Sequence, residues 1–244
     1  MIFTSLSKAS LVLIASSLVL LLSPSVESHS YADCVDWRFN AGSKSNSWSN
    51  KNGHCAGYAR RFPLNAKPFA KLDSDDPNRH YQQTHKNPDP NHAVPCSNGK
   101  VGVEPGADET MGHPISQAYS GKDARGRKTG QMTVTKAGSQ LCVRWPAKNH
   151  AIPSEPNHPV TIAFSGVNPT KDPTQQEFIK SKHLFNLQYK NCTDKGKDTD
   201  IWPCGGCFTV PKDMQAGNYV MQWRWQLNPN EFYASCADIS VGKK

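Results

Sequence analysis

His29 follows Val26-Glu27-Ser28, at the point where an apolar stretch gives way to polar, cysteine-containing sequence. Upstream, residues 1–28 hold Lys8 near the start, an apolar run from Leu11 to Leu22 and the helix-breaking Pro24. That order is the pattern of a secretory signal peptide cut after Ser28. Cleavage there would give His29 a free α-amino group. The amine and the residue's own Nδ1 can then close a six-membered chelate ring on one metal ion, and a second imidazole completes a nearly planar set of three nitrogens. Such a set suits Cu(II) and tolerates Cu(I). An uncleaved anchor helix, or a cut a few residues away, would remove this chemistry.

The second imidazole can come from His54, His80, His85, His92, His113, His150, His158 or His183. His150 follows the apolar strand pattern Leu141-Cys142-Val143-Arg144-Trp145 and the turn-forming Pro146-Ala147-Lys148-Asn149, which places it at the edge of a sheet. His158, just before the next strand, is its nearest competitor, and most histidines of an exported chain are simply solvated. A third element lies near the end, where Tyr233 stands three residues before Cys236. Its phenol can occupy a weak axial position on copper. Glu231, two residues earlier on the same strand face, can hydrogen-bond an oxygen species in an open position. The plainer reading of Tyr233 is a packed strand aromatic.

These residues need a rigid frame. Residues 40–130 are dense in Gly, Pro, Asn, Asp and Ser, which predicts long surface loops pinned by cysteines. From Gln131 the segments QMTVT, SQLCVRW, PVTIAFSG, FNLQYKNC, CFTVP, NYVMQWRWQL and ADISV are short, rich in β-branched and aromatic residues, and separated by turn formers. Together they predict an all-β fold, an antiparallel β-sandwich. In NYVMQWRWQL the residues Tyr219, Met221, Trp223 and Trp225 share one face, expected to pack in the core, with Gln222, Arg224 and Gln226 on the other. Gln176–Phe185 is the best candidate for a short helix.

Removing 28 of 244 residues leaves 216, which suits a single domain over 29–244. No other apolar run is long enough to cross a membrane. All eight cysteines follow the leader, implying up to four disulfides of open connectivity in an extracellular, secreted protein. Cys204-Gly-Gly-Cys207 has the spacing of a redox pair, but structural disulfides suit an exported chain better, and no second ligand pair supports zinc. Asn191-Cys192-Thr193 is a poor glycosylation sequon. The patterns G-x-S-x-G, HExxH and the P-loop are absent, which removes common hydrolase and nucleotide readings. The net charge of +8 favours polyanions, and export points to acidic polysaccharide rather than nucleic acid or membrane. Basic loop residues Arg60, Arg61, Lys122, Arg125, Arg127 and Lys128 can supply that attraction.

The set of His29 after a leader, His150 in VRWPAKNH and Tyr233 in EFYASCADISV resembles the lytic polysaccharide monooxygenases. The opening HSYADCVDW, the cysteine-rich loops and the basic balance look most like their oomycete, pectin-active branch, auxiliary activity family 17. The resemblance spans the mature chain and is most specific in GNYVMQWRWQLNPNEFYASCADISV. It implies an immunoglobulin-like β-sandwich and one copper ion held by His29 (amine and imidazole), His150 and axial Tyr233. It also implies oxidative cleavage beside a glycosidic bond, with an external electron donor and O2 or H2O2 as co-reactants. Many relatives carry Gln two residues before the axial Tyr; here that residue is Glu231, a departure within the second-shell role that the resemblance assigns. Homogalacturonan, with a carboxylate on each unmethylated sugar, is the expected substrate and a monomer suffices. The alternatives are a copper-binding protein without catalysis, an enzyme acting on cellulose or chitin, and a disulfide-rich interaction protein in which His29 meets no metal.

Overall fold

The computed structural model describes residues 30–60, 82–84, 95–96, 132–229 and 231–243. The proposed leader, His29, His80, His85, His92, His113 and the basic residues Arg61, Lys122, Arg125, Arg127 and Lys128 lie outside these ranges.

Among the described residues ten strands run in chain order: β1 (Trp37–Phe39), β2 (Gly53–Cys55), β3 (Gln82–Thr84), β4 (Thr133–Lys136), β5 (Gln140–Pro146), β6 (Pro159–Phe164), β7 (Leu184–Gln188), β8 (Pro203–Thr209), β9 (Gly217–Asn228) and β10 (Glu231–Gly242). The main sheet has the order β3-β10-β9-β6-β7, with β4 also on β10. Strands β5 and β8 pair with each other across its inner face, and β1 and β2 form a small hairpin outside β5. The result is the immunoglobulin-like β-sandwich that was expected, with one departure from a purely antiparallel design. Strand β4 runs parallel to β10, from Ile239 opposite Thr133 to Gly242 opposite Lys136.

Alternation along the strands decides what faces inward. Tyr219, Met221, Trp223 and Trp225 of β9 are all buried and meet Leu141, Val143 and Trp145 of β5 across the sandwich. Trp145 lies 6.1 Å from Trp223 between ring centroids, and Phe164 of β6 lies 5.9 Å from Phe208 of β8. The expected polar face of β9 is covered as well. Gln222 is only 1% exposed and exchanges amide hydrogen bonds with Gln175 at 2.7 and 3.2 Å. Phe178, Val220, Ala163 and the Cys96–Cys236 pair form a second cluster there.

The helix α1 is shorter than the sequence suggests and lies at Gln175–Ile179. Thr174 caps it, its hydroxyl accepting from the Glu177 N–H while the Glu177 carboxylate accepts from the Thr174 N–H. That reciprocal cap fixes the start. The stop comes from competition: Leu184 and Phe185 pair with β6, so the chain must turn at Ser181 and become strand. Ser181 Oγ donates to the Phe164 and His183 carbonyls and ties the turn down.

Four disulfides close: Cys34–Cys55, Cys96–Cys236, Cys142–Cys207 and Cys192–Cys204. Cys204 and Cys207 therefore have different partners, and the redox-pair reading of their spacing falls. The intervening glycines have a packing reason instead. A Cβ at Gly205 would overlap the Trp48 indole, and one at Gly206 would press on Leu187 at 3.0 Å. Asn191 donates its side-chain amide to the Gly205 carbonyl at 2.8 Å beside the Cys192–Cys204 bond.

Candidate metal centre

The segment that follows His29 is held at several points. Ser30 is buried and its hydroxyl donates to the Pro146 carbonyl at 3.0 Å. The Ala32 N–H donates to Ser235 Oγ at 3.3 Å, and the Asp33 and Cys34 N–H groups both reach the Arg144 carbonyl. Asp33 and Arg144 form a two-pronged buried ion pair at 3.0 and 2.9 Å, with the guanidinium 4.0 Å over the Trp37 ring. Since burying either charge alone costs several kcal/mol, this pairing is strongly specified. The pair draws the segment onto β5, while the Ala32 bond to Ser235 ties it to β10.

The end of β5 leads directly to His150. Pro146 closes the strand, and Lys148 and Asn149 adopt left-handed conformations with φ of 48° and 56°. This tight reversal is closed by the His150 N–H donating to the Ala147 carbonyl at 3.1 Å. The His150 ring then rests 5.5 Å from Trp225 between centroids. Its Nδ1 lies 2.9 Å from the Glu155 carboxylate, and its Nε2 is buried without a hydrogen-bond partner among the described residues.

Tyr233 meets the same tryptophan. It pairs directly with Trp225 across β9 and β10, and their rings lie 5.6 Å apart at an interplanar angle of 18°. Tyr189 stacks on Trp225 at 3.8 Å and 9°. Trp225 therefore connects His150 and Tyr233, two residues 83 positions apart in the chain. Tyr233 is itself fully buried. Glu231 opens β10 opposite Asn228, where the register shifts before Phe232, and its side chain falls outside the described residues.

The competing histidines are placed differently. His54 is exposed in β2 opposite Arg38. His183 is next to Phe164, at the far end of β6 from Pro159, roughly 17 Å away at ~3.3 Å per residue. Burial holds its imidazole below the usual pKa, with Asp213 working the other way and Lys182 reinforcing the shift. It lines a cavity of about 600 Å³ with Lys182, Asp213 and Tyr219, well removed from His150. His158 is partly buried ahead of β6.

The orphaned Nε2 of His150 is a fitting donor for copper, since an imidazole nitrogen is a preferred ligand of that ion. Among the described residues no group of three or more His, Cys, Asp or Glu side chains forms a metal cluster. Ser30, the residue after His29, is held to Pro146, four residues before His150.

One expected role is corrected. Arg60, grouped with the surface cations, is 3% exposed and forms ion pairs of 2.7 Å with both Asp238 and Asp172. Burial opposes its charge, yet the two carboxylates prevail and hold its pKa above the ordinary arginine value. It is an internal tie between the loop and β10 and cannot attract a polyanion. Three participants carried no sequence signal of their role. Glu155 sits in a Pro- and Ser-rich turn that resembles any other loop, Ser30 is a plain serine, and Trp225 reads only as core.

No family profile matches the chain, and no curated protein matches it. Among solved structures it is similar to CvAA9A, at 15% identity and a TM-score of 0.31 over 55% of this chain and 67% of that one. It is also similar to Cel61B from Hypocrea jecorina, a glycoside hydrolase family 61 member (15% identity, TM-score 0.28, 54% of this chain and 62% of that one). A third is an LPMO from Kitasatospora papulosa (14% identity, TM-score 0.28, 46% of this chain and 51% of that one). The match thus spans less than two thirds of the latter two structures. Likenesses this distant carry no functional argument, and the fold assignment rests on the strand pairing above.

Proposed function

We propose that this chain is a secreted copper-dependent lytic polysaccharide monooxygenase of the auxiliary activity family 17 type. Residues 1–28 would be its signal peptide, and its substrate pectic homogalacturonan. His29 (amine and imidazole), His150 (Nε2) and Tyr233 would hold one copper ion, with Glu231 in a hydrogen-bonding role toward an oxygen species. The observation that carries the reading is the stitching of Ser30 and Ala32 to Pro146 and Ser235. Those contacts anchor Ser30 to the end of the strand that leads to His150, and Ala32 to the strand that bears Tyr233. Bound copper would supply one-electron chemistry with O2 or H2O2 after reduction by an external donor. The protein's own part is to aim Nε2 of His150, to wall the site with Tyr233 and Trp225, and to present a net positive charge to an acidic polymer.

The test starts with the mass of the secreted protein, expected to begin at His29. That form should bind one Cu(II), whereas one extra N-terminal residue or His150→Ala should abolish tight binding and His158→Ala should not. With ascorbate and peroxide the loaded protein should release oxidised oligosaccharides from polygalacturonan, and its association with that polymer should weaken with added salt as screening shortens to ~8 Å near 0.15 M. Copper binding without oxidised products from polygalacturonan, cellulose or chitin would leave a non-catalytic copper protein.

A further inference from the structure

The geometry points to Glu155 as the positioning residue for His150, holding the ring so that Nε2, and not Nδ1, is the nitrogen offered to a metal. This rests on the copper reading above and adds a residue that neither the sequence pattern nor that reading assigns.

A carboxylate can only accept, so its 2.9 Å contact with the neutral ring puts the proton on Nδ1 and leaves the lone pair on Nε2. The ring is thereby fixed by independent restraints. The left-handed turn at Lys148 and Asn149 sets the backbone, Trp225 limits the ring's tilt, and Glu155 sets its rotation and tautomer. Glu155 is placed by a turn of its own, its N–H donating to the Ile152 carbonyl at 3.2 Å.

What remains is a basic nitrogen that is buried and unpartnered among the described residues. A buried acceptor left without a partner costs about 1–3 kcal/mol, so its persistence calls for an explanation. A ring that has its other nitrogen engaged by a carboxylate is arranged as metal-binding histidines commonly are, because the carboxylate raises ligand basicity and fixes orientation. A surface ion pair unrelated to a metal would leave Nε2 in water. Here the His150 side chain is only 13% exposed.

The experiment compares wild type, Glu155→Ala, Glu155→Gln and His150→Ala, each secreted from a host that removes the leader. Cu(II) affinity is measured by competition titration and the copper environment by electron paramagnetic resonance. Glu155→Ala should weaken Cu(II) binding by about 10–100-fold and change the copper hyperfine pattern. Glu155→Gln keeps an oxygen that can accept from Nδ1, and should restore most of the affinity. Wild-type affinity and spectrum in Glu155→Ala would overturn the inference, as would a Gln variant no better than Ala. If Glu155→Ala proves unstable, the Gln variant's spectrum decides: near wild type supports positioning, and loss of the wild-type pattern refutes it. These outcomes are distinct from failure of the underlying reading, in which wild type would take up no copper or His150→Ala would bind as well as wild type, overturning both.

Discussion

Trp225 joins both candidate ligands that the structure describes, His150 and Tyr233. Its ring touches His150, Tyr189 and Tyr233, and its burial is nearly complete. Truncation to alanine would remove stacking on two tyrosines and open a cavity at the centre of the main sheet. We expect Trp225→Ala to cost about 3–5 kcal/mol, read from urea unfolding. It should also loosen the His150 ring, because one of the surfaces that limits its motion would be gone. Trp225→Phe should recover much of the stability. The period of two in NYVMQWRWQL was enough to send Trp225 inward. Its contact with His150 was not legible, since it depends on a left-handed reversal at Lys148 and Asn149 that no spacing rule predicts.

Strand β10 carries a different kind of constraint. Between Tyr233 near its start and Ile239 near its end sits Asp238, paired with Arg60, which also holds Asp172 after β6. The cluster ties three distant parts of the chain through one guanidinium. Arg60→Met would leave two buried carboxylates without their cation, and should cost about 3–5 kcal/mol at neutral pH. The sign of its pH dependence is specific. Unpaired buried carboxylates have folded-state pKa values raised above the unfolded ones, so the variant should regain stability as pH falls and lose it as pH rises through that range. Burial raises the Asp238 pKa in wild type as well, but Arg60 draws it back down, so the same trend should be much shallower there. Unfolding midpoints compared at pH 5 and pH 7 distinguish the two. The sequence offered Arg60 as a surface cation because polar loop composition says nothing about which of its charges turn inward. It also extended α1 into Leu184 and Phe185, because helical spacing there was overruled by pairing with β6.

For the molecule as a whole, the strand set, the inward face of β9 and the closure of all cysteines were legible because each follows from local alternation or from an even count in an exported chain. The disulfide pairing and the parallel placement of β4 were not, because they depend on which distant strands meet. The stitched segment from Ser30 to Val35 is the clearest case of such long-range specification. Hydrogen exchange is ordinarily fast in segments outside the regular strands, because they open locally. Here the Ala32, Asp33, Cys34 and Val35 amides donate to Ser235, Arg144 and Gly57, the last 22 residues away. They should exchange among the slower amides of the protein, on a timescale set by opening of the sandwich itself. A ligand supplied by the residue just before this segment would be tethered to backbone that folding has already fixed. The entropy that a free peptide of the same sequence must lose on chelation would have been spent during folding.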